Sequence, residues 1–249
     1  MVEQFQPDCA ITTEPSDTRL CIGQRGRCKL EMRVTGRPCH AGHARHGLNA
    51  VDAVAALINE IRHLEHPSHP HLGRRDITCI DLVSAPYPSV STVGEAVARV
   101  DCRFLPGETP ETLIGALEGC GRRAWAEWNE QPQLQLAVVQ ADFDTWTERH
   151  LTAAEFEKAW WTEEQSPLVA SSRRALERVG LESAPTHYSF CTNGSYLAGE
   201  RSIPTIGFGV GLEHMAHQVD EFITLDSLRA GAQGYAALAC ILANAPLPR

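Results

Sequence analysis

The sequence predicts an α/β protein in which one domain is inserted into another, and three observations carry that prediction. From Arg27 the pattern alternates strictly, with Cys28, Leu30, Met32 and Val34 on one face and Lys29, Glu31 and Arg33 on the other, as in a half-exposed antiparallel strand. Periodic segments across residues 25–140 follow the order β-α-β-β-α-β. The flanking segments 1–24 and 141–249 alternate strand and helix patterns, the signature of a parallel α/β sheet. Two domains are therefore expected: 25–140 as an insertion, and 1–24 with 141–249 as the host.

Taken in order, residues 8–13 form a brief strand that ends at Glu14-Pro15, where proline stops ladder pairing. After the strand that starts at Arg27 comes a polar loop, Gly36 to Gly47. Val51, Val54, Leu57, Ile58, Ile61 and Leu64 then have helical spacing, and this helix must stop before the Pro- and His-rich segment 66–71. Strands over 77–83 and 97–104 follow, separated by Pro86, Pro88 and Gly94. Thr109-Pro110-Glu111 reads as an N-cap, a first-position proline and an acidic first turn, opening a helix with Leu113, Leu117, Cys120 and Ala124 on one stripe. A strand over 134–139 completes a ferredoxin-like arrangement.

Beyond it, Asp142 to Gln165 is expected to be a covering loop with a helical turn or two. A helix should run from Ser166-Pro167 to a Gly180 cap, a strand over 186–190 into the turn Thr192-Asn193-Gly194, a strand over 203–208 into a glycine loop, and a last helix over 225–242.

Composition narrows the function. With 43% hydrophobic and 21% charged residues in 249, the chain is ordinary globular protein able to bury a core. A net charge of -9 argues against nucleic acid or an anionic membrane surface as partner, since both call for clustered Lys and Arg. The start, Met-Val-Glu-Gln-Phe-Gln-Pro, lacks signal-peptide character and no apolar run is long enough to span a bilayer, so a cytoplasmic location is expected. The nine cysteines form no C-x-x-C pair and read as reduced, buried thiols.

The glycine loop holds the densest chemistry. Glycines at 207, 209 and 211 are followed by His214, His217, Asp220 and Glu221, and a glycine loop beyond a strand's carboxyl end is where open α/β sheets gather ligands. A solvated loop with surface histidines is the alternative that composition alone supports.

Thr-Glu14-Pro-Ser, Gly23-Gln-Arg-Gly-Arg27, Cys39-His-Ala-Gly with Gly47-Leu-Asn-Ala, Val100-Asp-Cys-Arg-Phe104, Thr192-Asn-Gly, and Ile206-Gly-Phe-Gly with Ala216-His and Asp220-Glu occur in one order along the chain. Together they resemble the zinc metallopeptidase and deacylase family of acetylornithine deacetylase, succinyl-diaminopimelate desuccinylase, aminoacylase and glutamate carboxypeptidase. The resemblance implies a zinc-peptidase-like α/β domain interrupted by a ferredoxin-like lid that also makes a homodimer. It implies hydrolysis of an amide bond in an N-acyl amino acid or small peptide, with two zinc ions, or cobalt in their place. Glu14 would be a carboxylate ligand to one metal and His217 the imidazole ligand to the other. His40 would reach the partner's site from the lid as a catalytic group, and Arg103, Asn193 and Gly209 would contact substrate. Asn193 departs from the Ser-Asp or Thr-Asp of many relatives, and Arg103 lies on a strand face that is ordinarily just solvated.

In the family a His-x-Asp motif, a bridging Asp and a Glu-Glu pair precede the position of Glu14, whereas thirteen residues precede it here. A catalytic zinc takes about three protein ligands, so one carboxylate and one imidazole complete no site. The expectation is therefore a portion of such a hydrolase, its α/β domain incomplete and the chain inactive by itself. The alternative is a non-catalytic dimerisation or ligand-binding module derived from the same family.

Overall fold

The computed structural model describes residues 7–84 and 90–243; the N-terminal Met1–Gln6 stretch and the predicted breakers Pro86 and Pro88 lie outside the described residues. The first part of the chain contains β1 (Ala10–Thr12), β2 (Cys21–Gln24), β3 (Gly26–Thr35), α1 (Ala50–Arg62), β4 (Ser68–His69), β5 (Gly73–Arg74), β6 (Asp76–Ser84) and β7 (Glu95–Phe104). The second contains α2 (Pro110–Ala124), β8 (Gln133–Val138), β9 (Gln140–Asp144), β10 (His150–Ala154), β11 (Phe156–Glu157), β12 (Trp160–Trp161), α3 (Pro167–Arg178), β13 (Thr186–Tyr188), β14 (Thr205–Gly207) and α4 (Leu225–Leu242). They divide into two compact units, one of Met1–Gly26, His69–Gly73 and Glu157–Arg249, the other of Arg27–Ser68 and Arg74–Phe156.

In the second unit β3 is a central strand, and it buries one face because every second residue is apolar. Cys28, Leu30, Met32 and Val34 are buried, as are Ala96, Ala98, Val100, Cys102 and Phe104 of β7. The strand order is β11-β3-β7-β6, with β8 also paired to β3, and β3–β8 and β6–β7 are antiparallel. The two helices bury Ala53, Val54, Leu57 and Ile61 from α1 and Leu113, Leu117 and Cys120 from α2. Thr109 does cap α2: its hydroxyl accepts from Thr112 N–H while the Thr112 hydroxyl accepts from Thr109 N–H, a reciprocal pair ahead of Pro110. The remaining sheet face is a lattice of alternating charge: Arg27 and Arg103 both donate to Asp101, and Arg99 to Asp81 and Glu31. The cysteines form no disulfide among the described residues, and burial pushes Cys28 and Cys102 up to about 12, which keeps them protonated and inert.

The first unit is a mixed sheet rather than the expected parallel one. β1 runs parallel to β14 and β13 parallel to β2, but β2 is antiparallel to both β14 and β12. The reversal is made by the turn Ser16–Arg19, whose central residues Asp17 and Thr18 have φ of 54° and 55° and which Arg19 N–H closes onto Ser16 C=O at 3.0 Å. Its core joins Leu20, Ile22, Ile206 and Phe208 to Leu168, Val169 and Leu176 of α3 and Leu238 of α4. Full burial of each such side chain contributes about 1.5–3 kcal/mol. The end of α3 is set by Gly180 at φ 74°, after which Leu181 N–H returns to Leu176 C=O at 3.0 Å.

Residues 142–165 differ most from expectation. There is no helical turn there: β9 and β10 form an antiparallel hairpin, and β11 and β12 follow. The alternation was present, with Ala141, Phe143, Leu151 and Ala153 on one face and Asp142, Asp144, His150 and Thr152 on the other, but alanines in place of large apolar residues weakened it.

A buried ion cluster gives this fold a pH signature. Arg75, 7% exposed, donates to Glu108 at 2.7 Å and to Nδ1 of His66 at 3.2 Å. Burial first, then the Arg75 and Arg74 charges, holds His66 below its ordinary 6.5. Burial likewise lowers His69 and His187. With folded values below the unfolded one, the unfolded chain binds the extra protons, so stability is full above 6.5 and falls as pH drops through and below it. Urea unfolding on both sides of that pH should show the loss, and His66→Asn should flatten part of the dependence.

Candidate functional site

At the carboxyl ends of β1 and β14 two loops interlock. The parallel register pairs Ala10 with Thr205, Ile11 with Ile206 and Thr12 with Gly207, so Glu14 and the glycine loop leave the sheet at the same end. The Ser16 hydroxyl accepts from Gly209 N–H at 2.9 Å, Thr18 N–H donates to Gly209 C=O at 2.8 Å, and Asp17 N–H donates to Gly211 C=O at 2.8 Å. Tyr188, buried and with its phenol pushed up by that burial, points its hydroxyl at the carbonyls of Thr12 (3.3 Å) and Glu14 (3.2 Å). Gly209 packs so tightly that a Cβ on it would lie 2.1 Å from Glu14 C=O. Its observed role is thus close backbone packing that fixes Glu14.

The loop then rises past Val210, Gly211, Leu212 and Met215, which with Pro15, Glu221, Phe222 and Ile223 line a cavity of about 390 Å³. His217 is exposed at φ 62°, its backbone N–H held by Glu221 Oε2 at 3.0 Å, and Asp220 also has φ 62°. Two non-glycine residues held in the left-handed region within four positions store strain of order 1 kcal/mol or more each, the kind of cost that clusters at functional loops. Glu14 and His217 are the donor types zinc prefers. Among the described residues, however, no group of three or more His, Cys, Asp or Glu side chains is placed to hold a metal ion. The donors match a zinc centre in kind and fall short in number.

Asn193 belongs to the same unit and is presented by a residue that the spacing did not single out. Gln24, fully buried, accepts from Thr192 N–H at 2.9 Å and from the Thr192 hydroxyl at 2.7 Å, and donates to the Ser195 hydroxyl at 2.8 Å. Thr192 Oγ1 in turn accepts from Gly194 N–H at 3.0 Å. The turn is satisfied from beneath, Asn193 is left exposed, and the π-helical turn Ser195–Glu200 follows. Gly194 sits directly over the Trp160 indole, whose buried N–H has no hydrogen-bond partner among the described residues. Gln24 lies within the Gly23-Gln-Arg-Gly-Arg27 run, yet nothing in its neighbours' types announces a buried amide.

His40 and Arg103 fall in the other unit. His40 is exposed at the start of a 3-10 turn, Ala41–His46, in a loop tied down by Ala41 N–H to Val90 C=O at 2.9 Å and Thr92 N–H to Cys39 C=O at 2.7 Å. Its Nδ1 accepts from Gly42 N–H at 3.1 Å, so that in the neutral ring the proton is on Nε2. Arg103 uses its Nε on Asp101 at 2.8 Å, in the charge lattice of the sheet.

The Gly209 packing has a direct test. Gly209→Ala must push Glu14 and the loop apart, and should cost about 1–3 kcal/mol in urea unfolding while speeding amide exchange at Thr18 and Gly209 itself. Unchanged stability would mean that the contact is slack.

Residues 22–129 match the family model of the peptidase dimerisation domain. Over 248 residues the chain is 27% identical to the uncharacterized protein YgeY of Escherichia coli K12, covering 96% of this chain and 59% of that protein. Its fold is shared with aminopeptidase PepT from Bacillus cereus (TM-score 0.74, 15% identity, 98% of this chain and 60% of that one). A tripeptidase from Staphylococcus aureus is similar to the same degree (TM-score 0.73, 14% identity, 97% and 59%). The chain thus spans about three-fifths of the length of the relatives it matches, carries a segment matching a peptidase dimerisation domain, and has the mixed α/β fold of solved peptidases.

Proposed function

We propose that this chain is a portion of a zinc-dependent amidohydrolase that cleaves the amide bond of an N-acyl amino acid or small peptide. The observation that carries the proposal is the parallel β1–β14 pair, from which Glu14 and the loop bearing His217 leave the sheet at the same end. In this reading each supplies one donor to a zinc pair whose remaining donors lie on sequence beyond this chain, and zinc there would polarise the scissile carbonyl. The second unit would act as a ferredoxin-like lid, its His40 Nε2–H donating to the oxyanion that forms in the partner's site. Asn193, raised on Gln24, would take a backbone or carboxylate group of the substrate. Arg103 is the weaker candidate for that task because Asp101 already holds it.

An open apolar surface supports the joint site. Phe222 and Leu225 are 60% and 69% exposed, and with Leu228 and Val219 they continue onto a face of α4 rich in alanine. A surface of this kind marks a place where further protein packs. Homodimerisation is supported by β6, an edge strand whose Ile80, Leu82 and Val83 are all about half exposed.

The lack of a three-donor group among the described residues favours a second reading, a module that dimerises or captures ligand without catalysis. Equilibrium dialysis separates them. The chain alone should bind zinc weakly and hydrolyse no N-acyl amino acid; a segment carrying the His-x-Asp and Glu-Glu motifs, supplied in trans, should bring stoichiometric zinc and activity. One tightly held zinc on the chain alone would contradict the shared site, and a bound segment that restores nothing would leave the module. Leu82→Lys should convert the dimer to monomer in sedimentation velocity.

A further inference from the structure

The β9–β10 hairpin is built in a way that neither the hydrolase reading nor the fold's own packing uses. Its root is pinned to β3: Val139 N–H donates to Lys29 C=O, Lys29 N–H to Glu155 C=O, and the Lys29 ammonium pairs with Glu155 at 2.7 Å. From there five paired residues on each strand run out, roughly 17 Å of ribbon. One face is polar and internally tied, with Thr152 donating to Asp142 at 2.6 Å and His150 within 3.0 Å of Asp144. The opposite face pairs Phe143 with Leu151 and Ala141 with Ala153; Phe143 and Leu151 are 48% and 43% exposed.

The tip is equally specific. Thr145 N–H donates to Arg149 C=O at 2.8 Å, Glu148 N–H to Thr145 C=O at 2.9 Å, and Glu148 takes φ 59°. This ordered turn holds Trp146 at 94% exposure, whereas Trp125 and Trp160 are 4% and 3% exposed. A two-stranded ribbon has little stability in water unless one face is covered. Exposed tryptophan is also the residue type most enriched among the anchors of protein interfaces.

We propose that this hairpin is a dimerisation arm, and that its apolar face of Phe143 and Leu151, with Trp146 at the tip, packs on a second copy of this chain. A second copy is the occupant because the arm grows directly from the sheet whose residues match the peptidase dimerisation domain, and Lys29, to which it is rooted, lies inside that match. By two-fold symmetry each arm would clasp the other subunit while receiving the other's arm. The inference rests on the homodimer part of the proposed function and adds a contact separate from the β6 edge.

The test is sedimentation velocity on the full chain over a concentration series. Trp146→Ala should weaken the dimer by roughly thirtyfold, as loss of a central aromatic anchor does. Phe143→Ala with Leu151→Ala should do at least as much, whereas Asp142→Asn on the polar face should leave the dimer unchanged. Far-ultraviolet circular dichroism and the unfolding midpoint should stay at wild-type values for Trp146→Ala, since Trp146 touches little of its own subunit. In wild type, iodide quenching of tryptophan should fall as the dimer forms, and that protection should vanish in Trp146→Phe. If Trp146→Ala and the double variant dimerise as tightly as wild type while Leu82→Lys dissociates, the arm is overturned and the homodimer stands. If wild type stays monomeric well above micromolar concentration, the arm and the homodimer fall together.

Discussion

The approach of the Gly209 backbone to the Glu14 carbonyl is the contact on which the rest of the first unit depends. Three neighbouring hydrogen bonds, which link Ser16, Asp17 and Thr18 with residues 209 and 211, close only when those two segments touch. Any side chain at 209 would hold them apart. The contact in turn fixes where the chain reverses, because the Ser16–Arg19 turn is stitched to the same loop and sends β2 back antiparallel to β14. The left-handed backbone at Asp17 and Thr18 is therefore part of the site's foundation, and the interlock supplies the free energy that holds a β-branched residue in that conformation.

β2 is the hub that follows. Four residues long and wholly buried, it pairs with β12, β13 and β14, and Gln24 at its end supports the Asn193 turn. A buried glutamine is costly unless its amide is bonded, and here both its oxygen and its nitrogen are. The result is a hydrogen-bonded base under an exposed asparagine, whereas the His217 loop carries two left-handed residues and exposed apolar neighbours.

The second unit solves a different problem. Its sheet buries one face under α1 and α2 and covers the other with ion pairs whose individual worth is small, about 1 kcal/mol or less at such exposure. What the lattice does is specify register, since a one-residue slip of β3 against β7 would bring charge into the core and Leu30 or Met32 into water. Cys28 and Cys102 stay protonated behind that register, small apolar fillers in effect.

What the sequence determined by itself was everything written with a strong local period. β3, α1, α2, α3 and α4 are legible because period 2 or 3.6 in large apolar residues, with Thr109, Ser166 and Gly180 at the helix ends, leaves few alternatives. Glu14 at a strand end and a glycine loop rich in imidazole and carboxylate were visible for the same reason. Tertiary structure alone decided that the first sheet is mixed, that Gly209 is a packing residue, that Gln24 is buried beneath Asn193, and that residues 140–154 are a ribbon ending in an exposed tryptophan. Each of these hangs on a partner more than a hundred residues away or on strands of two to five residues. In such short pieces the local pattern is too weak to outweigh the packing and hydrogen bonding that distant segments provide.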